Sequence, residues 1–330
     1  MPRHGPAVTQ KTIAKLAKVS PSVVSTILNG HRGSIRFSEE TAERVHAAVR
    51  QLHYRPDRMA QTLHADRRNI IGLLSSSIFA LPNAFLHWLS LALSEHDQLL
   101  VIQSLGEADA VERCQMLQQR FADAAICGEI PGDAVLKRIR QIGMPLLFVN
   151  ADPGLPAPRI LFDEAGGMRL AVEHLRQRGY RGIVLHDLGG DGYWIGERRK
   201  GCRSAAQALG LPPPRIVTAR RYVHALDGEE ADRLVAACAA GDGVIVQDST
   251  VLPFLLPRLR ARGLEVPDDI GVVTLSQPAA MDMAWTFAEV NTRTLAHTAT
   301  ELLLRPGALA EPLCHRVAYD LHPARSTSRS

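Results

Sequence analysis

Cysteine is scarce in this chain of 330 residues: five, at positions 114, 127, 202, 238 and 314, with no C-x-x-C pair. That spacing argues against a disulfide-stapled secreted domain and fits reduced, mostly buried thiols. There is no H-E-x-x-H element and no clustering of Cys with His, so no metal site is expected. No G-x-S-x-G elbow occurs, which removes the usual support for a hydrolase nucleophile. No run approaches the roughly 18 consecutive apolar residues of a membrane span. The opening MPRHGPAVTQ lacks the apolar core, about 7–15 residues long, of a signal peptide. Repeats and low-complexity segments are also missing, apart from the Ser/Arg tail 325–330. What is present is ordinary globular composition, 46% hydrophobic and 22% charged, enough for two or three domains. These features lead to the expectation of a soluble cytoplasmic protein.

The formal charge of +4 is unevenly placed. Residues 1–69 hold twelve Lys/Arg against five acids, a balance of +7, and five of the thirteen histidines; the remainder carries −3. A basic head on a mildly acidic body suits a polyanion partner, although a solvated charged face would give the same count. In the head, Thr9 is placed to cap a helix from Gln10 with Ile13, Leu16 and Ala17 on one face. Pro21 starts a second helix, where its missing N–H has no intrahelical partner to lose. Val24, Ile27 and Leu28 form its apolar side, while Ser22, Ser25, Thr26 and Asn29 make a stripe of short polar side chains. Gly30 ends it. Ser38 caps a third helix whose apolar face is Val45, Ala48, Val49 and Leu52. Two short helices joined by a tight turn and braced by a third make a helix-turn-helix, although periodicity alone also allows an ordinary three-helix cap.

The run TIAKLAKVSPSVVSTILNG, followed by FSEETAERVHAAVRQLHYRPDRMAQTL, resembles the head and hinge of LacI/GalR-type bacterial repressors. The resemblance implies that Pro21, Ser22 and Thr26 face base edges, and that Thr9, Ser20, Ser25 and Asn29 face phosphates. It implies a hinge helix at Arg58–Leu63, with Leu63 as a minor-groove wedge, where plain linker packing is the alternative. Three departures stand out. Lys18 replaces the family's turn glycine, so a left-handed lysine is expected at about 1 kcal/mol. Thr26 replaces the usual arginine. The loop 30–37 is longer and carries Arg32 and Arg36, which either contact DNA or form a solvated basic loop.

From Asn69 onward short apolar runs alternate with amphipathic helical stretches, the mark of parallel sheets covered by helices on both faces. The strand-like runs are 70–74, 99–102, 124–127, 146–149, 183–185, 243–246 and 271–275. The domain expectation is a DNA-binding head over 1–56, a hinge over 57–68 and a two-lobed core over 69–330. Lobe 1 takes about 69–159 plus 292–317, and lobe 2 about 160–291 plus 318–330. In open parallel sheets ligands bind beyond the carboxyl ends of the strands. The residues directly after those ends are Ser75–Ser77, Gln103, Asn150, Asp187, Gln247 and Ser276.

The body resembles the periplasmic-binding-protein-like effector core of the same repressors. Arg198-x-x-Gly201 matches the family's effector arginine motif, and Asn150, Gln247 and Ser276 fall where members carry other polar ligands. Phe79, Trp194, Tyr222 and Trp285 are candidate aromatic walls or ordinary core. An arginine among neutral amides and hydroxyls suits an anionic effector, a sugar acid or sugar phosphate, with a neutral sugar as the alternative. Gly190-Asp-Gly192-Tyr-Trp-Ile-Gly196 is one residue too long for a dinucleotide loop, so an NAD-type enzyme is disfavoured and no cofactor is expected. The expected function is a non-enzymatic transcription regulator, by default a repressor, binding a palindromic operator as a homodimer under control of a small effector. A solute-binding protein on the same core is the alternative.

Overall fold

The computed structural model describes residues 8–28, 36–54, 69–75, 81–105, 110–120, 122–128, 137–139, 141, 143–154, 156–190, 192–219, 228–278 and 283–328. The chain divides into two compact units, 1–68 and 69–330.

In the first unit, α1 (Gln10–Ala17), α2 (Pro21–Leu28) and α3 (Glu39–Gln51) enclose Ile13, Ala14, Ala17, Val24, Ile27, Val45 and Ala48. The Thr9 N–H donates to Thr12 Oγ1, and Ser38 accepts from the Thr41 N–H, so two of the expected caps are formed. Lys18 ends α1 at φ 54°, ψ 47°, the left-handed turn that glycine would adopt more cheaply. Leu16, expected on the buried face, is 43% exposed, and Ala14 takes its place. A two-helix contact on so short a helix closes around Ile13, and position 16 falls just outside that stripe.

The second unit holds two six-stranded sheets. The first comprises β1 (Ile70–Ser75), β2 (Leu99–Ser104), β3 (Ala124–Cys127), β4 (Leu146–Val149), β5 (Arg159–Phe162) and β11 (Cys314–Val317). Its order is β11-β5-β4-β3-β1-β2, all parallel. The second comprises β6 (Gly182–Asp187), β7 (Arg215–Thr218), β8 (Asp242–Val246), β9 (Gly271–Thr274), β10 (Thr286–Val290) and β12 (Tyr319–His322). Its order is β12-β10-β9-β8-β6-β7, and only the β10–β12 pair is antiparallel. The described helices are α4 (Asn83–Ser94), α5 (Ala110–Arg120), α6 (Glu164–Gln177), α7 (Tyr193–Ala208), α8 (Gly228–Ala236), α9 (Leu252–Ala261) and α10 (Thr292–Leu304).

The chain passes between the sheets three times: after β5, after β10 and after β11. Because β5 pairs with β4 and β11, the first lobe extends past position 159, where the sequence reading had ended it. Strands β5, β7, β10 and β12 lie outside the apolar runs read from the sequence. β7 and β12 lie at sheet edges and β10 alternates buried with half-buried residues, so these three form no continuous apolar run; β5 has only three apolar residues, 160–162, directly after the proline-rich stretch 153–158.

Candidate effector site and nucleic-acid interface

The first crossover creates the central feature. Asp163 follows β5 and caps α6 by accepting from the Gly166 N–H at 3.1 Å. Glu164 is therefore the first helical residue, and it is buried, at 1% exposure. Helix α7 lies so close to this point that a Cβ on Gly201 would stand 2.6 Å from Ala165 Cα. The glycine of the R-x-x-G motif is thus a packing requirement. It lets α7 settle against the start of α6 and delivers Arg198, one turn earlier, to Glu164.

The guanidinium Nε donates to Glu164 Oε2 at 2.7 Å, and Nη2 reaches Glu164 Oε1 at 3.4 Å. Tyr319, at the start of β12, donates its hydroxyl to Glu164 Oε2 at 2.7 Å and accepts from Arg198 Nη2 at 3.2 Å. Its ring occupies the space a side chain on Gly167 would fill. Asn150, at the end of β4, donates from Nδ2 to Glu164 Oε1 at 2.8 Å and accepts from the Phe162 N–H at 3.3 Å. Asn150 adopts φ 50°, a left-handed conformation that asparagine tolerates better than most residues. Trp194, one turn before Arg198 on α7, lies under the guanidinium with its ring centroid 4.7 Å from Cζ. Burial works to lower the Arg198 pKa, but the Glu164 carboxylate and Tyr319 outweigh it and raise the value, so the cation is permanent. Burial, reinforced by Glu164, pushes the Tyr319 phenol well up, so it stays a donor.

A second pair lies at the ends of the strands of the second sheet. Asp187, fully buried, accepts from Arg199 Nε at 3.0 Å and from Thr218 Oγ1 at 3.1 Å, both on Oδ2. Gln247 Oε1 accepts from the Leu188 N–H at 3.4 Å. The β6–β8 register pairs His186 with Val246, so Asp187 and Gln247 are the next neighbours along and share one sheet face. Asp187 Oδ1 and Gln247 Nε2 are buried without a hydrogen-bond partner among the described residues.

Of the residues the sequence singled out, Asn150 and Arg198 converge on Glu164, and Trp194 packs its ring against Arg198. Gln247 joins Asp187 instead. Ser276 is half-buried, and its carbonyl accepts from Thr274 Oγ1 at 2.7 Å. Trp285 is buried in the second lobe's core with Leu234, Val244 and Leu255. Phe79 and Tyr222 lie outside the described residues. The sequence reading did not single out Glu164, Tyr319 or Arg199. It took the surroundings of Arg198 as neutral; the carboxylate that answers it sits in the first turn of α6. A surface hollow of about 470 Å³, lined by Asp152, Arg159, Leu313 and Cys314 among others, contains none of the residues of this network. Among the described residues no group of His, Cys, Asp and Glu side chains is arranged to hold a metal ion.

In the head, Pro21 and Ser22 are exposed at the start of α2, and Ser25 and Thr26 are half-buried. Ser20 accepts from the Val23 N–H at 3.3 Å, and Thr26 Oγ1 donates to the Ser22 carbonyl at 2.9 Å. Thr9 and Arg36 are exposed. Asn29, Arg32, Arg58 and Leu63 lie outside the described residues.

Residues 9–57 match the family described as bacterial regulatory proteins, lacI family, and residues 172–320 match a periplasmic binding protein-like domain. The chain thus joins a lacI family helix-turn-helix domain to a periplasmic binding protein-like domain. It is 26% identical over 286 residues to the HTH-type transcriptional regulator DegA of Bacillus subtilis (strain 168), covering 82% of each chain. It is 33% identical over 187 residues to the lactose operon repressor of Escherichia coli (strain K12), covering 54% of this chain and 50% of that one. The fold superposes on the crystal structure of the lac repressor dimer bound to operator and the anti-inducer ONPF, with a TM-score of 0.80 at 21% identity over 98% of this chain and 100% of that one.

Proposed function

We propose that this protein is a lacI family transcriptional repressor that binds a partly palindromic operator as a homodimer in the cytoplasm and answers to a small ligand held between the lobes of its core. The helix-turn-helix carries the reading: three helices close around Ile13, Val24 and Val45, with a basic surround and an outward stripe of short side chains on α2. A homodimer supplies the twofold symmetry that matched half-sites require. Leu91, Leu99 and Ile102, 46%, 59% and 47% exposed on α4 and the edge strand β2, are the surface proposed for the second copy. No described helix is long and apolar enough to cross a membrane.

The ligand proposed is an uncharged polyhydroxy compound of the sugar type. Arg198 is answered by Glu164 and Arg199 by Asp187, so the two guanidinium charges at the strand ends are cancelled locally. An anion would have to displace Glu164 from a buried pair, and the sequence-based preference for a sugar acid or phosphate is withdrawn on that ground. A hydroxyl suits the unpartnered pair beside it, donating to Asp187 Oδ1 and accepting from Gln247 Nε2. Ligand binding then shifts lobe closure and, through residues 57–68, the affinity for DNA.

In vitro selection of random duplex DNA by the full chain tests the function. A twofold-symmetric site is expected; enrichment of no sequence at all would overturn the proposal.

A further inference from the structure

Helix α2, PSVVSTIL, contains no Arg, Lys, Asn or Gln, the side chains long enough to make bidentate contacts with guanine or adenine in the major groove. The short hydroxyls it offers are partly turned back on the chain. Just before the helix, Ser20 Oγ accepts from the Val23 N–H, and within it the Thr26 hydroxyl hydrogen is committed to the Ser22 carbonyl at 2.9 Å. What Thr26 retains for a base is its methyl group and an oxygen that can only accept. At the start of the same helix, five residues before Thr26, Pro21 is exposed and presents ring methylenes without an N–H, and Val23 is half-buried. Ser22 is the exposed hydroxyl on this face, and a single hydroxyl donates or accepts with any base. The outer surface of α2 therefore offers only short side chains, with methyl and methylene groups beside the hydroxyls and few directional donors.

In the major groove one base edge offers an apolar group, the C5-methyl of thymine. We propose that this head selects its half-sites chiefly by packing Thr26 and Pro21 against thymine methyl groups, in place of hydrogen-bonded readout of guanine. The proposal rests on the DNA-binding reading above and names the chemistry of that interface. Removing one buried methyl group corresponds to about a three- to fivefold loss of affinity, and a symmetric pair of half-sites doubles the effect on the free-energy scale, to roughly tenfold or more.

The experiment uses the full chain and the duplex it selects. Each thymidine in the half-sites is replaced in turn by deoxyuridine, which lacks the methyl and keeps every hydrogen-bonding group. Binding is expected to weaken by about three- to fivefold per half-site at one or two positions. Thr26→Val, which keeps a methyl in place and removes the hydroxyl, should retain the sensitivity; Thr26→Ser, which removes the methyl, should lose it at one position. A selected site whose thymines all tolerate uridine, or whose half-sites are specified by G·C pairs alone, overturns this proposal and leaves the regulator intact. Failure to select any site overturns both.

Discussion

At the scale of single residues, Glu164 is where the account is most exposed to test. Its carboxylate answers a buried guanidinium and a buried phenol, so removing it strands Arg198 without a counter-charge. Breaking one side of a buried pair destabilises by about 3–5 kcal/mol. Glu164→Ala is expected to lower core stability by that order in urea unfolding followed by tryptophan fluorescence. A loss below about 1 kcal/mol would show the pair to be dispensable. The thiols give a second residue-level expectation. Burial pushes Cys114 up to about 11 and Cys202 and Cys238 up to about 12, raises Cys127 further, and leaves Cys314 exposed. A thiol-reactive dye at pH 8 should label one cysteine per chain rapidly, and Cys314→Ser should abolish that phase.

His174 provides the pH dependence. Its Nε2 meets Thr327 Oγ1 at 2.8 Å, and burial, aided by Arg178, lowers its pKa below the ordinary value of 6.5. The unfolded chain therefore binds a proton there before the folded chain does, and stability falls as the pH drops below about 6.5. His174→Gln should flatten that part of the stability curve; an unchanged slope would show that His174 does not contribute to it.

At the scale of elements, the contact between α6 and α7 governs the site. Gly201→Ala would force a Cβ to within 2.6 Å of the Ala165 backbone, where no flexible side-chain end can yield. The expected destabilisation is about 1–3 kcal/mol, accompanied by a displaced Arg198 and weakened effector binding. Normal stability and normal effector binding in this variant would contradict the close approach. This contact also marks how far the sequence could be read. The alternation of apolar runs and amphipathic stretches made the parallel-sheet architecture legible, because burial on one face leaves a periodic trace. Arg198 and Gly201 were legible as a motif. Glu164 was not, because a carboxylate in the first turn of a helix is what the helix dipole alone would favour, and only tertiary packing distinguishes the two roles. Tyr319 was missed for a related reason: it opens a short edge strand of the second sheet, 155 residues away from the carboxylate it serves. In the head, spacing identified the helix faces, yet Leu16 points to solvent because a helix of eight residues buries only a narrow stripe.

At the scale of the whole molecule, a second copy should cover the edge of the first sheet. Leu99→Asp, placed where an exposed apolar side chain stands at 59% exposure, is expected to yield monomers in sedimentation and to weaken operator binding sharply, since each half-site then binds alone. A variant that remains dimeric would move the interface elsewhere. The central claim, that a basic head adds sequence-specific readout to general attraction for polyanions, is tested most directly by the affinity of the full chain for its selected duplex and for a scrambled duplex of equal length, measured across a salt series. Both affinities should fall steeply as salt rises, because each phosphate contact releases counterions, while their ratio stays at about a thousandfold or more. A ratio near one at every salt concentration would mean that the head binds DNA as a charged surface only, and would contradict the account.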